Sequence, residues 1–416
     1  ELRLAPAATR AAAARTAGRT RVEALGVAGV DGLAGRLGGV WFEPLFPGET
    51  PPPAGSDEPD FTAFYIAHLP PGVALADALE RFGALAEVVS ADPIAILPVD
   101  AFPNDSLWSA SPWFYQPGAR RDIHAPEAWD VTTGDTAIVV AVLDTGVVPY
   151  HPDLAGTVAG LPGQIWTNWI EAAGTPGVDD DGNGYVDDVH GWDFVTGAPD
   201  GLPGEDADVE DNDPNDFAGH GTAVAGLVGA LTDNGIGVAG AAWRVRIMPL
   251  RMGWASTFSA TGEVQMDFAA RAIRYATRMG ATVINCSWAS ANTDGIAAAV
   301  GSAVRAGITV VSAAGNSNPF HYLADRDDVL AIAATDSTDV IASFSNRGAY
   351  VDLAAPGVGI RSTWSAQFQP TYAGALNGTS FSAPLVAGVA ALIQSRYVPP
   401  AAARLLTPRG VQLRLM

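Results

Sequence analysis

The sequence predicts an α/β fold, a doubly wound, mostly parallel sheet with flanking helices, preceded by a small α+β domain. Three observations predict it: apolar runs that end in polar residues, helical stretches between those runs, and a proline-containing break near residue 100 where the pattern changes. With 416 residues, 48% of them hydrophobic, the chain is long enough for one large domain and a smaller one.

Residues 1–25 are Ala- and Arg-rich and low in complexity, so they are expected to be disordered or loosely helical. The α+β domain is placed at 26–100, with a Pro/Gly linker, "PGETPPPAGSDEPD", inside it. "FTAFYIAHL" alternates like a strand, and Leu75, Leu79, Phe82 and Leu85 fall at helical spacing. "AEVVSADPIAILPV" then reads as a second strand pair. The large domain takes 101–416. "TAIVVAVLD", "RVRIMPLRM", "ATVINCSWA", "GITVVSAAG" and "VLAIAATD" read as strands buried on both faces, with helical stretches such as "GEVQMDFAARAIRYATRMG" between them. In such a sheet functional residues gather at the carboxyl ends of the strands.

A net charge of -22 argues against nucleic acid and anionic membrane surfaces as partners. Every basic residue is arginine, and the single cysteine, Cys286, excludes an intrachain disulfide. No apolar run reaches the roughly 18 residues a membrane span needs, and no signal peptide is visible after Glu1.

Three motifs carry chemistry. "VAVLDTGV" puts Asp144 at the end of a buried strand, where a turn acid or a metal ligand also fits. "GHGTAVAGLVG" puts His220 at the mouth of a helix, where a histidine can equally be a structural hydrogen-bonder. "NGTSFSAPLVAG" is more specific: Ser380 opens a helix that buries Leu385, Val386, Val389, Leu392 and Ile393. A serine there meets free backbone N–H groups and the positive end of the helix dipole, which favour negative charge developing on a bound carbonyl.

Residues 179–216 hold fourteen carboxylates and no arginine, a density that requires solvation or a cation. Within it, "DDDGNGYVDD" matches the first nine positions of an EF-hand-type calcium loop: Asp179, Asp181, Asn183, the Tyr185 carbonyl and Asp187, turned at Gly184. The closing glutamate is absent, and a solvated acidic loop is the alternative. A weaker calcium candidate is Asp193 with Asp211, Asp213 and Asp216.

Together the three motifs, in the order Asp, His, Ser on an alternating α/β background, resemble the subtilisin-like serine proteases over roughly residues 103–395. The resemblance implies a secreted serine endopeptidase with Asp144, His220 and Ser380 as triad. It implies an oxyanion hole from the Ser380 N–H and the Asn316 side chain in "SAAGNSN". It also implies a cleft lined by Ser287, Trp288 and Ala289 on one side and Ala313, Ala314 and Gly315 on the other. Substrate pairing with backbone edges gives broad specificity, and Trp288 as an apolar wall leans towards apolar side chains. Phe381 replaces a methionine common after the nucleophile, removing one oxidation-sensitive site.

The likeness extends to the calcium-stabilised thermitase branch. It implies a calcium site from Asp105, Asp153 and Asn234 with the Leu231, Ile236 and Val238 carbonyls. The α+β domain resembles the family's propeptides, intramolecular inhibitors released by self-cleavage, here within 98–104. Protein or peptide substrates and a monomeric state are expected. The carboxyl end departs from the family: after the Pro-Pro in "SRYVPPAAARLLTPRGVQLRLM" the chain stops without the helical structure that usually seals the domain. Two alternatives stay open, a pseudoprotease that binds peptide and calcium, and a peptide ligase or transpeptidase using the same triad.

Overall fold

The computed structural model describes residues 2–53, 56, 58–94, 102–119, 121–156, 163–259, 261–316, 321–398 and 406–415. The chain divides into two compact units, Glu1–Leu97 and Pro98–Met416. The expected self-cleavage segment, 98–104, lies largely outside the described residues.

The first unit is an antiparallel four-stranded sheet, order β2-β3-β1-β4, formed by β1 (Leu2–Leu4), β2 (Trp41–Pro44), β3 (Phe64–His68) and β4 (Val88–Ala91). Helices α1 (Pro6–Thr16), α2 (Ala28–Arg36) and α3 (Leu75–Gly83) complete it. Within residues 1–25 the helical alternative holds for α1 and the disordered one does not, since β1 and α1 are part of this core. Leu2 and Leu4 point to one buried face of an interior strand, and Ala8 and Ala12 are buried at helical spacing on α1. Alanine there is a small residue that permits close packing, not a mark of disorder. The Thr16 hydroxyl bonds the Ala12 carbonyl at 2.9 Å.

The second unit is built on a seven-stranded sheet, order β13-β12-β11-β10-β5-β7-β6, whose neighbours all run parallel. Its strands are β5 (Gly134–Asp144), β6 (Trp192–Asp193), β7 (Arg244–Arg251), β10 (Val283–Cys286), β11 (Thr309–Ala313), β12 (Leu330–Thr335) and β13 (Leu353–Pro356). Two antiparallel hairpins stand apart from it, β8 (Gly253–Trp254) with β9 (Glu263–Val264), and β14 (Val358–Ala366) with β15 (Gln369–Asn377). The helices are α4 (Ala125–Val131), the short α5 (Pro152–Ala155) and α6 (Trp169–Ala172), α7 (His220–Gly229), α8 (Met266–Arg278), α9 (Asp294–Arg305), α10 (Thr379–Ser395) and α11 (Pro408–Leu415).

Alternation along each strand separates two cores. On β5, Ile138, Val140 and Val142 join α7 and α10 on one face, while Ala141 and Leu143 join α8 and α9 on the other. β7 divides likewise, Val245 and Ile247 against Met248 and Leu250. This is why the strand runs read as continuously apolar. The carboxyl end differs from expectation: α11 lies against the α10 face, with Val411 buried and Leu406 and Leu415 packed on that core. The helix spacing of Val411 and Leu415 survives beyond the Pro-Pro break and supplies the seal.

Candidate active site

The strand order reverses at β5, with β10 on one side and β7 on the other, so the crevice at its carboxyl end is the open position in the sheet. Asp144 is the last residue of β5. Its side chain is 3% exposed, and Oδ1 accepts hydrogen bonds from the Thr145 N–H at 2.8 Å and from His220 Nδ1 at 2.7 Å. Oδ2 is buried without a hydrogen-bond partner.

His220 opens α7, whose N-cap, Gly219, has φ 96°. A Cβ on Gly219 would run into the Ser365 carbonyl and the Trp364 ring, so the helix start lies closely against β14. Hydroxyls on β14 fix that contact, Ser362 to the Ala223 carbonyl and Thr363 to the Thr222 carbonyl, each at 2.7 Å. The His220 side chain is 17% exposed, and its ring centroid is 5.5 Å from that of Phe381. Loss of hydration is the largest single influence on its charged form and opposes it. The charge of Asp144 and its hydrogen bond, with the charge of Asp216, outweigh that and hold the imidazole above its ordinary value.

Ser380 is in the first turn of α10, where helix geometry leaves its N–H without an intrahelical acceptor. Both cleft segments are tied to this turn: Ser287 Oγ donates to the Ser380 carbonyl at 2.8 Å, and the Gly315 N–H to Thr379 Oγ1 at 3.1 Å. Asn316 Oδ1 accepts from the Thr379 N–H at 3.0 Å and from Thr379 Oγ1 at 3.1 Å. A backbone N–H can only donate, so the atom facing it is the oxygen, and the exposed side chain is left with Nδ2 as its free donor. A Cβ on Gly378 would lie 3.4 Å from that Nδ2, which places the amide beside the Ser380 turn. Among the described residues the Ser380 hydroxyl has no hydrogen-bond partner. Such bonds commonly form only once a substrate is bound.

Of the expected cleft residues Ala289 is exposed, while Trp288 is 6% exposed and packs in the α8–α9 core, which corrects its reading as an apolar cleft wall. Ala313 and Ala314 are buried, and the Ala314 N–H and carbonyl are taken by the Ile332 carbonyl at 2.9 Å and Asn346 Nδ2 at 3.0 Å. A Cβ on Gly315 would lie 2.5 Å from the buried His321 ring.

The acidic residues form three groups. In the first, Asp153 is fully buried; its Oδ1 accepts from Asn234 Nδ2 at 2.7 Å and its Oδ2 from the Val238 N–H at 2.8 Å. Leu231 donates its N–H to the Asp153 carbonyl at 2.7 Å and Ile236 its N–H to Asn234 Oδ1 at 2.8 Å, so the 231–238 loop wraps this side chain. Asp105 Oδ2 accepts from the Asp233 N–H at 2.9 Å, while its Oδ1 is buried without a partner. Burial raises Asp153 to about 7 and Asp105 to about 6.

In the second group the ligand-capable atoms of Glu171, Asp181 and Asp188 lie within 4.8 Å of one another. The other EF-hand-like positions are occupied within the loop. Asp179 accepts the Asn183 and Gly184 N–H groups at 3.0 and 2.8 Å, Asp187 the Gly177 N–H at 2.6 Å, and Asn183 Oδ1 the Tyr185 N–H at 2.7 Å. Glu171 and Asp188 escape a reading by loop spacing because one comes from α6 and the other is position ten of the loop. Glu171 is signalled only by burial, its oxygens taking the Asp181 and Asp187 N–H groups at 3.0 Å each.

The third group brings together Asp193, Asp206 and Asp211. Its interior is occupied by Arg251, 1% exposed, which donates to Asp193, to Glu205 at 2.7 Å and to the Asp206 carbonyl. Asp216 does not belong to it: each of its oxygens accepts two hydrogen bonds from the α7 region and Thr145. That corrects its place among the weaker calcium ligands.

Residues 135–416 match the Subtilase family, peptidase S8. Thermitase from Thermoactinomyces vulgaris is 35% identical over 297 residues, 71% of this chain and 86% of that one. A thermophilic serine proteinase from a Bacillus strain is 36% identical over 71% of this chain and 60% of its own, and an extracellular protease from Xanthomonas campestris 35% identical over 81% and 56%. The chain thus spans little more than half the length of these last two. A solved protease from Pseudoalteromonas arctica is 28% identical, with a TM-score of 0.58 over 75% of this chain and 91% of that structure. No helix among the described residues is long and apolar enough to cross a membrane. The chain belongs to the subtilase family and is a subtilisin-like serine endopeptidase.

Proposed function

We propose that the protein is a secreted, self-maturing endopeptidase of broad specificity that cleaves peptide bonds through Asp144, His220 and Ser380. The observation that carries this reading is the 2.7 Å Asp144–His220 bond at the open end of the sheet, together with an Asn316 amide locked on the Ser380 turn. Ser380 Oγ attacks the scissile carbonyl as His220 Nε2 takes its proton. Asp144 keeps the imidazole in the tautomer with Nδ1 protonated and balances its charge as it forms. Negative charge on the carbonyl oxygen meets Asn316 Nδ2 and the Ser380 N–H, donors already oriented before substrate arrives. His220 then protonates the leaving amine, and water repeats the sequence on the acyl-enzyme. An extended substrate strand would run between Ser287–Ala289 and Ala313–Gly315.

The first unit, which the family match does not include, serves in this reading as propeptide and intramolecular inhibitor. Calcium fits the site of Asp105, Asp153 and Asn234. A buried carboxylate oxygen without a donor, Asp105 Oδ1, beside a second buried carboxylate asks for a cation that takes oxygen ligands. Bound there, calcium would neutralise both acids and tie residue 105 to the 231–238 loop. Glu171, Asp181 and Asp188 offer a second oxygen-only cluster.

Incubating the full chain with calcium and casein, beside a Ser380→Ala variant, tests the reading. Loss of casein and a new N-terminus near residue 100 are expected in the wild type only. An intact, folded wild-type chain that leaves casein uncut would reject it in favour of a peptide-binding pseudoprotease.

A further inference from the structure

Asp216 is fully buried four residues before His220, and its carboxylate is saturated with donors from two directions. Oδ1 accepts from Thr145 Oγ1 at 2.9 Å and from the Gly219 N–H at 2.9 Å. Oδ2 accepts from the Thr222 N–H at 2.8 Å and from Thr222 Oγ1 at 2.6 Å. Each hydroxyl passes the connection on. Thr145 Oγ1 accepts the Gly221 N–H at 2.9 Å, and Thr222 Oγ1 accepts the Val148 N–H at 3.1 Å. The backbone of Asp216 is itself held, its carbonyl accepting from Ser365 Oγ on β14. One side chain therefore joins the turn after Asp144 to the residues on both sides of His220.

We propose that Asp216 is a positioning residue of the hydrolytic site, fixing His220 against Asp144 and adding a second buried negative charge that favours the imidazolium formed during catalysis. The inference rests on the endopeptidase reading above, in which His220 is the base.

Capping alone would not need this arrangement. A neutral serine or asparagine caps a helix about as well as aspartate, and Oδ1 spends one of its bonds on Thr145, outside the helix. Burial raises Asp216 to about 6 against the pull of its four donors and of the helix dipole at the first turn of α7, so the charge is present above that pH. The ionisable groups facing this pair are Asp144 from β5 and Glu205 from the loop after β6, and Cys286 on β10 lies near Asp144. From β14 and α10 come only neutral groups, Ser362, Thr363, Ser365 and Phe381. Among the described residues no arginine bonds Asp216, and its charge acts on the His220 imidazole.

An Asn in place of Asp216 must turn its –NH2 towards a backbone N–H on either side, since Gly219 and Thr222 both present one. It removes the charge while keeping the volume. The test measures kcat and KM on a chromogenic peptide from pH 5 to 10 for the wild type and for Asp216→Asn, Asp216→Glu and Thr145→Val, with a thermal melt of each. For Asp216→Asn the acidic limb of the kcat/KM profile is expected to move down by roughly half a pH unit or more. Thr145→Val and Asp216→Glu keep both charges, so their limbs should stay in place while kcat falls about tenfold and KM holds. A limb unmoved in folded Asp216→Asn overturns the proposal and leaves a helix cap. If Asp216→Asn does not fold, an unchanged kcat in Thr145→Val overturns it instead. An inactive wild type would reject the endopeptidase reading itself, a separate result.

Discussion

Two acidic regions of the larger unit are equally buried and differ in what answers their charge. Around Asp193 the chain supplies its own cation. Arg251 leaves the end of β7 and bonds Asp193, Glu205 and the Asp206 carbonyl, the guanidinium and both carboxylates out of water. Loss of hydration opposes the charge on Arg251, yet its acidic partners outweigh that and hold the guanidinium above its ordinary value. Around Asp105 and Asp153 no arginine pairs with either acid among the described residues, and the donors are amides and the Tyr372 hydroxyl, with one oxygen left over. The first region is complete as soon as the chain folds. If the second takes the proposed calcium, its contribution to stability follows the medium.

The largest effect expected from this contrast comes from removing the internal cation. Arg251→Leu leaves Asp193 and Glu205 buried without a counter-charge and should cost about 3–5 kcal/mol. Urea unfolding of the Ser380→Ala protein in calcium measures it free of self-digestion. A loss below 1 kcal/mol would mean that water or an ion replaces the guanidinium. Next in size is chelation: withdrawing calcium from the same protein should remove roughly 4 kcal/mol if the ion stood at about a thousand times its dissociation constant. At about 2–4 °C per kcal/mol, the thermal midpoint drops by about 10 °C. Asp105→Ala should abolish most of that response and Arg251→Leu should not. A chelator response unchanged in Asp105→Ala would place the ion elsewhere, with Glu171, Asp181 and Asp188 the next site to test.

The smallest effect concerns the third buried pair, Asp144 with His220. Because the folded value of His220 is raised above its unfolded value near 6.5, the pair's contribution is fully present below that value. It is lost as pH rises through the raised value. Activity runs the other way, since the base must be neutral. His220→Ala in the Ser380→Ala background should therefore lower stability by about 1 kcal/mol at acid pH and by less at alkaline pH. A cost that does not vary with pH would show that the pair is not charged in the resting protein.

These contrasts also show what was legible in the sequence. Asp144, His220 and Ser380 stand in local motifs, each at the start or end of an element, and the proposed chemistry needs a strand end or a helix start. The strands around them were legible because both faces are buried. Arg251 with Asp193 was not: 58 positions separate them, and only the adjacency of β6 and β7 brings them together. Glu171 likewise reaches the 179–188 loop from a separate helix. The acidic stretch was visible as an excess of charge, yet which acids meet depends on the sheet order. Residues 2–16 were legible only as a disordered or loosely helical stretch, for a different reason. Alanine carries little hydrophobic signal in composition, but in β1 and α1 small side chains are what close packing requires.

The last helix has a consequence for how the chain becomes a protein. Val411 belongs to the same apolar core as Trp129 and Ile138, so the beginning and end of the larger unit must meet before that core is closed. Parallel pairing of β5 with β7 and β10 adds contacts between segments more than a hundred positions apart. Such distant closures slow folding and expose apolar surface meanwhile. The core of this unit therefore cannot close before the segment carrying Val411 has been made. Until then its two faces of apolar strands stay open, and whatever shortens that interval protects the chain from misassociation.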